Sequence, residues 1–241
     1  MNVDINSSIL ITVIFFSFFA FFKKFSFLND DVSSSNHKIL VQDKLSPILL
    51  GGPYLLTIFL IFAPFDFYPI KIIFCLMTIL GLMSDKNFLP NPKLRLIIQI
   101  FLIFLIVYIQ DLKIEDLRVD NLNFLLSNNL FNVCFTVFCL AILINGCNFI
   151  DGLNGLLVGY VLISLISIFY ITLTQTNLNL TDDNFLNIFL IALIIFFIFN
   201  IIGLVYLGDS GSYIVSFILG FYLIQINSIN YFLSPYYIAV I

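Results

Sequence analysis

Long apolar runs separated by short polar segments occupy almost the whole chain of 241 residues. Eight of these runs approach the roughly 20 residues that an α-helix needs to cross the hydrocarbon core of a bilayer. They cover residues 9–22, 48–63, 68–83, 94–109, 130–144, 156–173, 185–202 and 213–226. A ninth run begins near Tyr236 and continues to the last residue. The pattern predicts an all-α fold, a polytopic transmembrane helical bundle of about nine spans that forms one integral membrane domain over residues 1–241.

The composition agrees with a membrane protein. Hydrophobic residues make up 61% of the chain and charged residues only 10%, and the mean hydropathy is +1.11. Soluble domains carry about 25% charged residues. The formal net charge of -4 says little about partners, because the position of each charge relative to the bilayer matters more than the total. We expect the bilayer as a partner and no nucleic acid.

The positions of lysine and arginine predict the orientation. The residues before the first run include Asp4 and no basic side chain, whereas Lys23 and Lys24 directly follow the run. A secretory signal would have its positive charges before the apolar run. If the spans alternate, one side holds seven of the ten basic residues. Its loops are 23–47, 84–95, 145–155 and 203–212. The positive-inside rule makes this side cytoplasmic and places the N-terminus outside. On the other side, residues 111–129 alternate apolar and charged positions, which predicts a short amphipathic cap.

The most polar of the cytoplasmic segments is 145–155. It contains three asparagines (Asn145, Asn148 and Asn154), three glycines and one carboxylate, Asp151. Polar groups cost several kcal/mol when they enter hydrocarbon unpaired, so such a cluster is either solvated or lines a site. Glycine lets backbone amides approach a ligand closely. The segment predicts the rim of an active site where a helix meets the cytoplasmic interface.

The other cytoplasmic loops offer matching chemistry. Asp85 ends the segment 81–85, and Asp209 lies in a compact glycine- and serine-rich turn at 207–213. Basic side chains stand nearby, and a glycine pair occupies 51–52. Carboxylates combined with lysines suit a magnesium-bound diphosphate, because Mg²⁺ is usually held by one or two carboxylates together with phosphate oxygens.

Four segments, in this order, carry a resemblance to a known family. They are S-P-I-L-L-G-G at 46–52, G-L-M-S-D-K at 81–86, N-G-C-N-F-I-D-G-L-N-G at 145–155 and G-D-S-G-S at 208–212. Together they resemble glycosyl transferase family 4, the polyprenyl-phosphate N-acetylhexosamine-1-phosphate transferases and the phospho-MurNAc-pentapeptide translocases. The resemblance runs from about Lys38 to the last residue.

The resemblance implies a membrane transferase of the inner (plasma) membrane with its active site facing the cytoplasm. The implied reaction moves a sugar 1-phosphate from a UDP-sugar to undecaprenyl phosphate or another polyprenyl phosphate and releases UMP. Such a reaction initiates the synthesis of cell-envelope polysaccharides such as lipopolysaccharide or cell-wall polymers. The segments N-F-I-D-G at 148–152 and G-D-S-G-S-Y at 208–213 look closer to the polysaccharide-initiating branch, which favours UDP-GlcNAc or a related UDP-N-acetylhexosamine. The resemblance leaves a monomer and a homodimer open.

The resemblance also assigns site residues. It implies catalytic roles for Asp85, Asp151 and Asp209, and it makes Asp209 and Asp151 the ligands of Mg²⁺, with Mn²⁺ as the alternative metal. The implied substrate-binding residues are Lys44, Lys93, Arg95, Asn145, Asn148, Asn154, Gly208 and Ser210.

Two positions depart from the family pattern. Ser84 stands where the family has the first aspartate of an Asp-Asp pair, and Asn154 stands where it has the second aspartate of D-G-x-D-G. A mechanism that uses the first aspartate as general base would lack its base here. A phosphate monoester has a second pKa of about 6 and is mostly dianionic at neutral pH, so we expect the lipid phosphate to attack without a base.

Other readings of the chain stay open at this point. The family implies a histidine-rich cytoplasmic loop beyond Ile241, whereas the single histidine here is His37, so we expect a truncated member. One alternative is a catalytically impaired paralogue that only binds polyprenyl phosphate. Another is an ion-coupled transporter that uses the three aspartates as an ion path. Transporter carboxylates lie near the bilayer midplane, whereas these lie at the predicted cytoplasmic ends of their spans, which favours the enzyme.

Overall fold

The apolar runs of the sequence fold into helices. The computed structural model describes residues 5–25, 47–64, 67–117, 120–174 and 183–229, and these ranges contain nine helices and two short strands. The helices are α1 (Ile5–Phe25), α2 (Gly51–Phe62), α3 (Tyr68–Asp85), α4 (Pro92–Ile109), α5 (Asp120–Leu126), α6 (Asn129–Ile150), α7 (Leu156–Thr174), α8 (Asp183–Ile201) and α9 (Gly208–Ile229). The strands are β1 (Ile48–Leu49) and β2 (Val205–Tyr206).

Within the described ranges, six helices are long and apolar enough to cross a membrane: α1, α3, α4, α6, α8 and α9. Helix α2 and the apolar segment Leu156–Ile171 of α7 are shorter. The prediction of an all-α bundle with several membrane-spanning helices is thereby confirmed. The count of nine spans and the outside N-terminus stay predictions, and the run near Tyr236 lies outside the described residues.

Helix α9 lies at the centre of the bundle. It contacts α2, α3, α6 and α7, and 78% of its span Gly208–Asn227 is buried, compared with 11% for α1. Small side chains line its contacts: Ser212 and Ser216 are fully buried, and a methyl group at Gly220 would lie 2.5 Å from Leu140. Lipid tails are as apolar as leucine, so helices in a membrane associate by close packing of small residues. This packing makes α9 the scaffold on which its neighbours are placed.

A short parallel pairing corrects the predicted start of the second span. Ile48 lies opposite Val205 and Leu49 opposite Tyr206, and the N–H of Leu50 donates to the Tyr206 carbonyl at 3.2 Å. The prediction that a helix begins at residue 48 is therefore wrong, because these backbone groups bond to β2 and α2 starts at Gly51. The pairing fixes the beginning of α2 beside the beginning of α9.

Two segments predicted to be loops are partly helical. Helix α6 continues to Ile150, because Ile144 and Cys147 extend its buried face and the Asn145 amide donates to the Ala141 carbonyl at 2.7 Å. The turn predicted at 207–213 is instead the first turn of α9, which begins at Gly208. The polar segments therefore present their side chains from helix ends, which are more rigid than free loops.

A buried asparagine fastens the segment that was predicted to be an amphipathic cap. This segment contains α5, and its residues Leu112 and Ile114 are buried. Asn132, on α6 and 5% exposed, accepts a hydrogen bond from the Ile114 N–H at 3.2 Å. Its amide donates to the carbonyls of Ile114 at 2.9 Å and Leu126 at 3.2 Å. One side chain thus satisfies backbone groups of two stretches at the end of the bundle opposite the β1–β2 pair.

We expect Asn132→Ala to lower the free energy of unfolding by about 1–3 kcal/mol, because it leaves buried backbone groups without their partner. The thermal unfolding midpoint in detergent micelles measures this. The control is Ser167→Ala, which removes a hydroxyl that bonds the Ile163 carbonyl one turn earlier in the same helix. Equal midpoints for the two variants would contradict the anchoring role of Asn132.

Candidate active site

Two of the three predicted catalytic aspartates meet where α3 ends and α9 begins. Asp85 is the last residue of α3, and its Oδ1 accepts a hydrogen bond from the N–H of Asp209 at 2.8 Å. Its Oδ2 accepts from the Ser210 hydroxyl at 3.2 Å and lies 3.5 Å from the Ser210 nitrogen. A carboxylate at this place satisfies free amides of the first helical turn and interacts favourably with the helix dipole. Asp85 therefore fixes the first turn of α9, and with it the backbone of Asp209.

Glycines let this turn approach its neighbours. A methyl group at Gly52 or Gly81 would overlap Ser210, and one at Gly51 would lie 2.6 Å from the carbonyl oxygen of Leu207. Gly208 has φ +68°, and a methyl group on it would lie 2.8 Å from Oδ2 of Asp85. The glycines of three of the resembling segments thus meet at one point. Ser210 is buried there, and the predicted contacts of Gly208 and Ser210 with substrate stay predictions.

Arg95 brings the first turn of α4 to the same place. Its Nη1 lies 2.9 Å from Oδ2 of Asp209, and the two side chains are 29% and 23% exposed. The hydroxyl of Ser84 donates to the same Oδ2 and accepts a hydrogen bond from Arg95. Within the described part of the chain, both contacts to the Asp209 carboxylate involve Oδ2, which leaves Oδ1 for a ligand. The sequence identified Ser84 only as a departure from the family pattern, although its position directly before Asp85 places it at the same end of α3.

Asn148 brings α6 into the cluster. Its Oδ1 accepts a hydrogen bond from the Ser212 hydroxyl at 2.7 Å, and that hydroxyl also lies 2.9 Å from the carbonyl oxygen of Asp209. Asp151 is the C-cap residue of α6, one turn after Asn148, and its N–H donates to the Cys147 carbonyl at 3.1 Å. The structure therefore brings Asn148 to the element that carries Asp209 and places Asp151 at the end of the same helix. The sequence analysis did not identify Ser212, because the sequence does not reveal that this side chain is buried against Asn148.

The remaining predicted substrate-binding residues lie around this cluster. Asn145 uses its amide within α6, and Asn154 is exposed after the end of that helix. Lys93 is exposed in the first turn of α4, where the Asn91 side chain accepts a hydrogen bond from its N–H at 3.0 Å. Lys44 lies outside the described residues. Contact of these four residues with substrate stays a prediction.

The side chains of the cluster suit a metal site that phosphate oxygens complete better than a site made of three or more protein side chains. Among the described residues, no group of three or more His, Cys, Asp or Glu side chains could hold a metal ion. Mg²⁺ needs only one or two carboxylates when phosphate oxygens complete its coordination. Asp209, with Oδ1 left for a ligand, meets this smaller requirement.

Comparison with models of protein families gives a match. The model of glycosyl transferase family 4 matches residues 67–227, about two-thirds of the chain. This range includes Asp85, Arg95, Asp151 and Asp209. No curated protein matches the chain.

Proposed function

The chain belongs to glycosyl transferase family 4, which indicates transfer of a sugar phosphate to a lipid carrier, and on this premise we propose its substrates. The donor is a UDP-N-acetylhexosamine such as UDP-GlcNAc, the acceptor is undecaprenyl phosphate or another polyprenyl phosphate, and UMP is released. The product initiates a cell-envelope polysaccharide. The observation that supports this proposal is the cluster of Asp85, Ser84, Arg95 and Asp209 inside the matched range.

In the proposed reaction, an oxygen of the lipid phosphate attacks the β-phosphorus of the UDP-sugar. The bond from that phosphorus to the bridging oxygen breaks, and its electron pair leaves with UMP. The products are the lipid diphosphate sugar and UMP, so atoms and charge balance. Mg²⁺ bound by Asp209 and Asp151 together with the donor diphosphate would neutralise charge that develops on the phosphates.

Arg95 suits a phosphate-binding role in this reaction. A guanidinium group has five N–H donors in a planar fork, so Arg95 can keep its contact with Asp209 and still donate to a phosphate oxygen. Its contact with Asp209 also fixes the direction of the fork. The helix ends that hold the cluster are flanked by Lys86 and Lys93, and we place them at the cytoplasmic face of the inner membrane.

We expect Ser84→Asp to change the rate of transfer by less than about tenfold, because the dianionic lipid phosphate needs no general base. The new carboxylate would stand beside Asp209, where Ser84 now donates a hydrogen bond, and Arg95 would bridge the two. Initial rates at saturating lipid phosphate measure the effect, and Ser84→Asn is the neutral control of similar size. An increase of several orders of magnitude with Ser84→Asp alone would show that the native chain lacks a base that it needs.

Label transfer tests the proposed function. Membranes that contain the chain are incubated with UDP-[³H]GlcNAc and polyprenyl phosphate, with Mg²⁺ or with EDTA, and label is counted in the lipid extract. We expect labelled lipid and equimolar UMP with Mg²⁺ and neither with EDTA. Binding of polyprenyl phosphate without any release of UMP would identify the impaired paralogue instead.

A further inference from the structure

A buried asparagine at the end of α8 joins the segment that follows Asp151 to the segment that precedes Asp209. Asn200 is 3% exposed. Its Oδ1 accepts a hydrogen bond from the Gly155 N–H at 2.8 Å, and its Nδ2 donates to the Val205 carbonyl at 2.8 Å. Gly155 follows Asp151 by four residues, and Val205 precedes Asp209 by four. The side-chain amide of Asn200 therefore restrains both the segment after Asp151 and the segment before Asp209.

The backbone around Asn200 is shaped for these two contacts. Gly155 has φ +80° and Gly203 has φ +77°, values at which other residues are strained. The Gly203 N–H donates to the backbone carbonyl of Asn200 at 3.0 Å, which turns the chain from α8 toward β2. A methyl group at Gly203 would lie 3.3 Å from the Asn154 amide, so the segment 151–155 packs directly on this turn.

We propose that Asn200 is a positioning residue for the transferase reaction: it sets the place of the segment 151–155, and hence of Asp151, relative to Asp209. The inference rests on the proposed function for its catalytic consequence and on the hydrogen bonds of Asn200 for its structural part. The contact between Asn148 and Ser212 links α6 directly to α9, one turn before Asp151. It restrains the axis of α6, whereas Asn200 restrains the chain after Asp151.

The consequence for the rate follows from the geometry of phosphoryl transfer. The donor diphosphate has to fit between groups presented by both segments. A misplacement of about 1 Å in such a site can cost on the order of 10²-fold in rate. Asn200 lies behind the two segments and does not act on the substrate itself, so its loss should reduce kcat more than it changes the KM for the lipid phosphate.

The first test compares two buried asparagines that both tie separate backbone segments together. Asn200→Ala removes the link near the site, and Asn132→Ala removes the similar link at the opposite end of the bundle. We expect Asn200→Ala to lower kcat by at least about tenfold at a thermal midpoint similar to that of Asn132→Ala, which keeps near wild-type kcat. Activity that falls equally in both variants, in proportion to their lost stability, would overturn the inference.

Asn200→Asp provides a second test with a pH signature. A protonated aspartic acid keeps one oxygen acceptor for Gly155 and gains an O–H donor for Val205, whereas the ionised form has no donor and is costly to bury. The activity of this variant relative to wild type should therefore rise as the pH is lowered from 8 to 6. A ratio that does not change with pH would contradict the positioning role.

Hydrogen exchange separates failure of this inference from failure of the proposed function. Deuterium uptake by peptides that cover 151–158 is followed by mass spectrometry in wild type and in Asn200→Ala. Faster uptake in the variant supports the restraint by Asn200 even for a chain that transfers no sugar phosphate. Unchanged uptake would overturn the restraint whether or not the chain is active.

Discussion

We expect Asp209→Asn to lower the rate of magnesium-dependent transfer of label to lipid by at least about 10²- to 10³-fold. The amide keeps the size of the carboxylate and can still accept a hydrogen bond from Ser84 or Arg95. It lacks the negative charge that would hold a metal ion beside the donor diphosphate, and Arg95 loses its ionic partner. The effect on folding should be small, because the Asp85 carboxylate still accepts the N–H of residue 209.

Asp111→Asn is the matched control for this variant. Asp111 is also ion-paired, with Lys113 at 2.7 Å, but its side chain is 75% exposed and it lies after the opposite end of α4. Such surface pairs contribute at most about 1 kcal/mol to stability, so this control should transfer label at the wild-type rate. Loss of activity in both variants would mean that the assay reports stability or membrane insertion. Full activity of Asp209→Asn would remove Asp209 from the mechanism.

We expect Gly81→Ala to lower both stability and activity. The added methyl group would overlap the backbone of Ser210, which cannot move aside as a flexible side chain can. Overpacking of this kind costs about 1–3 kcal/mol, and here it forces the end of α3 away from the start of α9. The hydrogen bonds from the first turn of α9 to Asp85 lengthen as a result. We expect a clearly lower unfolding midpoint in detergent and, at a temperature where the variant is folded, a loss of activity on the order of 10²-fold.

Gly146→Ala is the control for the effect of replacing a helical glycine with alanine where no close contact is made. Gly146 lies in α6, and among the described residues no atom outside its chain neighbours and the backbone of its own helix is within 4 Å of the place that its methyl group would take. Alanine is favoured over glycine in a helix by up to about 1 kcal/mol, so this variant should be as stable as wild type or more stable. If Gly81→Ala were as stable as Gly146→Ala and as active as wild type, the close approach of α3 and α9 would not be needed for function.

The helices and the grouping of the polar segments could be predicted from the sequence, because both depend on properties of contiguous residues. Apolar runs of sufficient length define spans, and alternation of spans places Asp85, Asp151 and Asp209 at one end of the bundle. The structure agrees at the points that it describes: Asp85 contacts the first turn of α9, and Asn148, one turn before Asp151, bonds to Ser212.

Some ends of elements could not be predicted, because distant residues determine them. Helix α9 begins at Gly208, and Asp85, which lies 124 residues before Asp209, accepts the N–H of Asp209. Residues 48–49 form a strand because their partners are 205–206, a pairing that no local pattern reveals. Asn200 lies inside an apolar run, where its two backbone contacts give no sequence signal. Secondary structure at these places follows tertiary contacts and not local preference.

Donor UDP-GlcNAc labelled with ³H in the sugar and with ³²P in the β-phosphate tests the central claim most directly, because it reports which bond breaks. The chain in membranes is given this donor, Mg²⁺ and polyprenyl phosphate, and both labels are counted in the lipid extract and in the released nucleotide. Transfer of the sugar 1-phosphate predicts ³H and ³²P in the lipid at the ratio of the donor, together with unlabelled UMP. Lipid that carries ³H alone, with ³²P in released UDP, would mean that the bond to the sugar breaks instead, and an extract without either label would contradict transfer altogether.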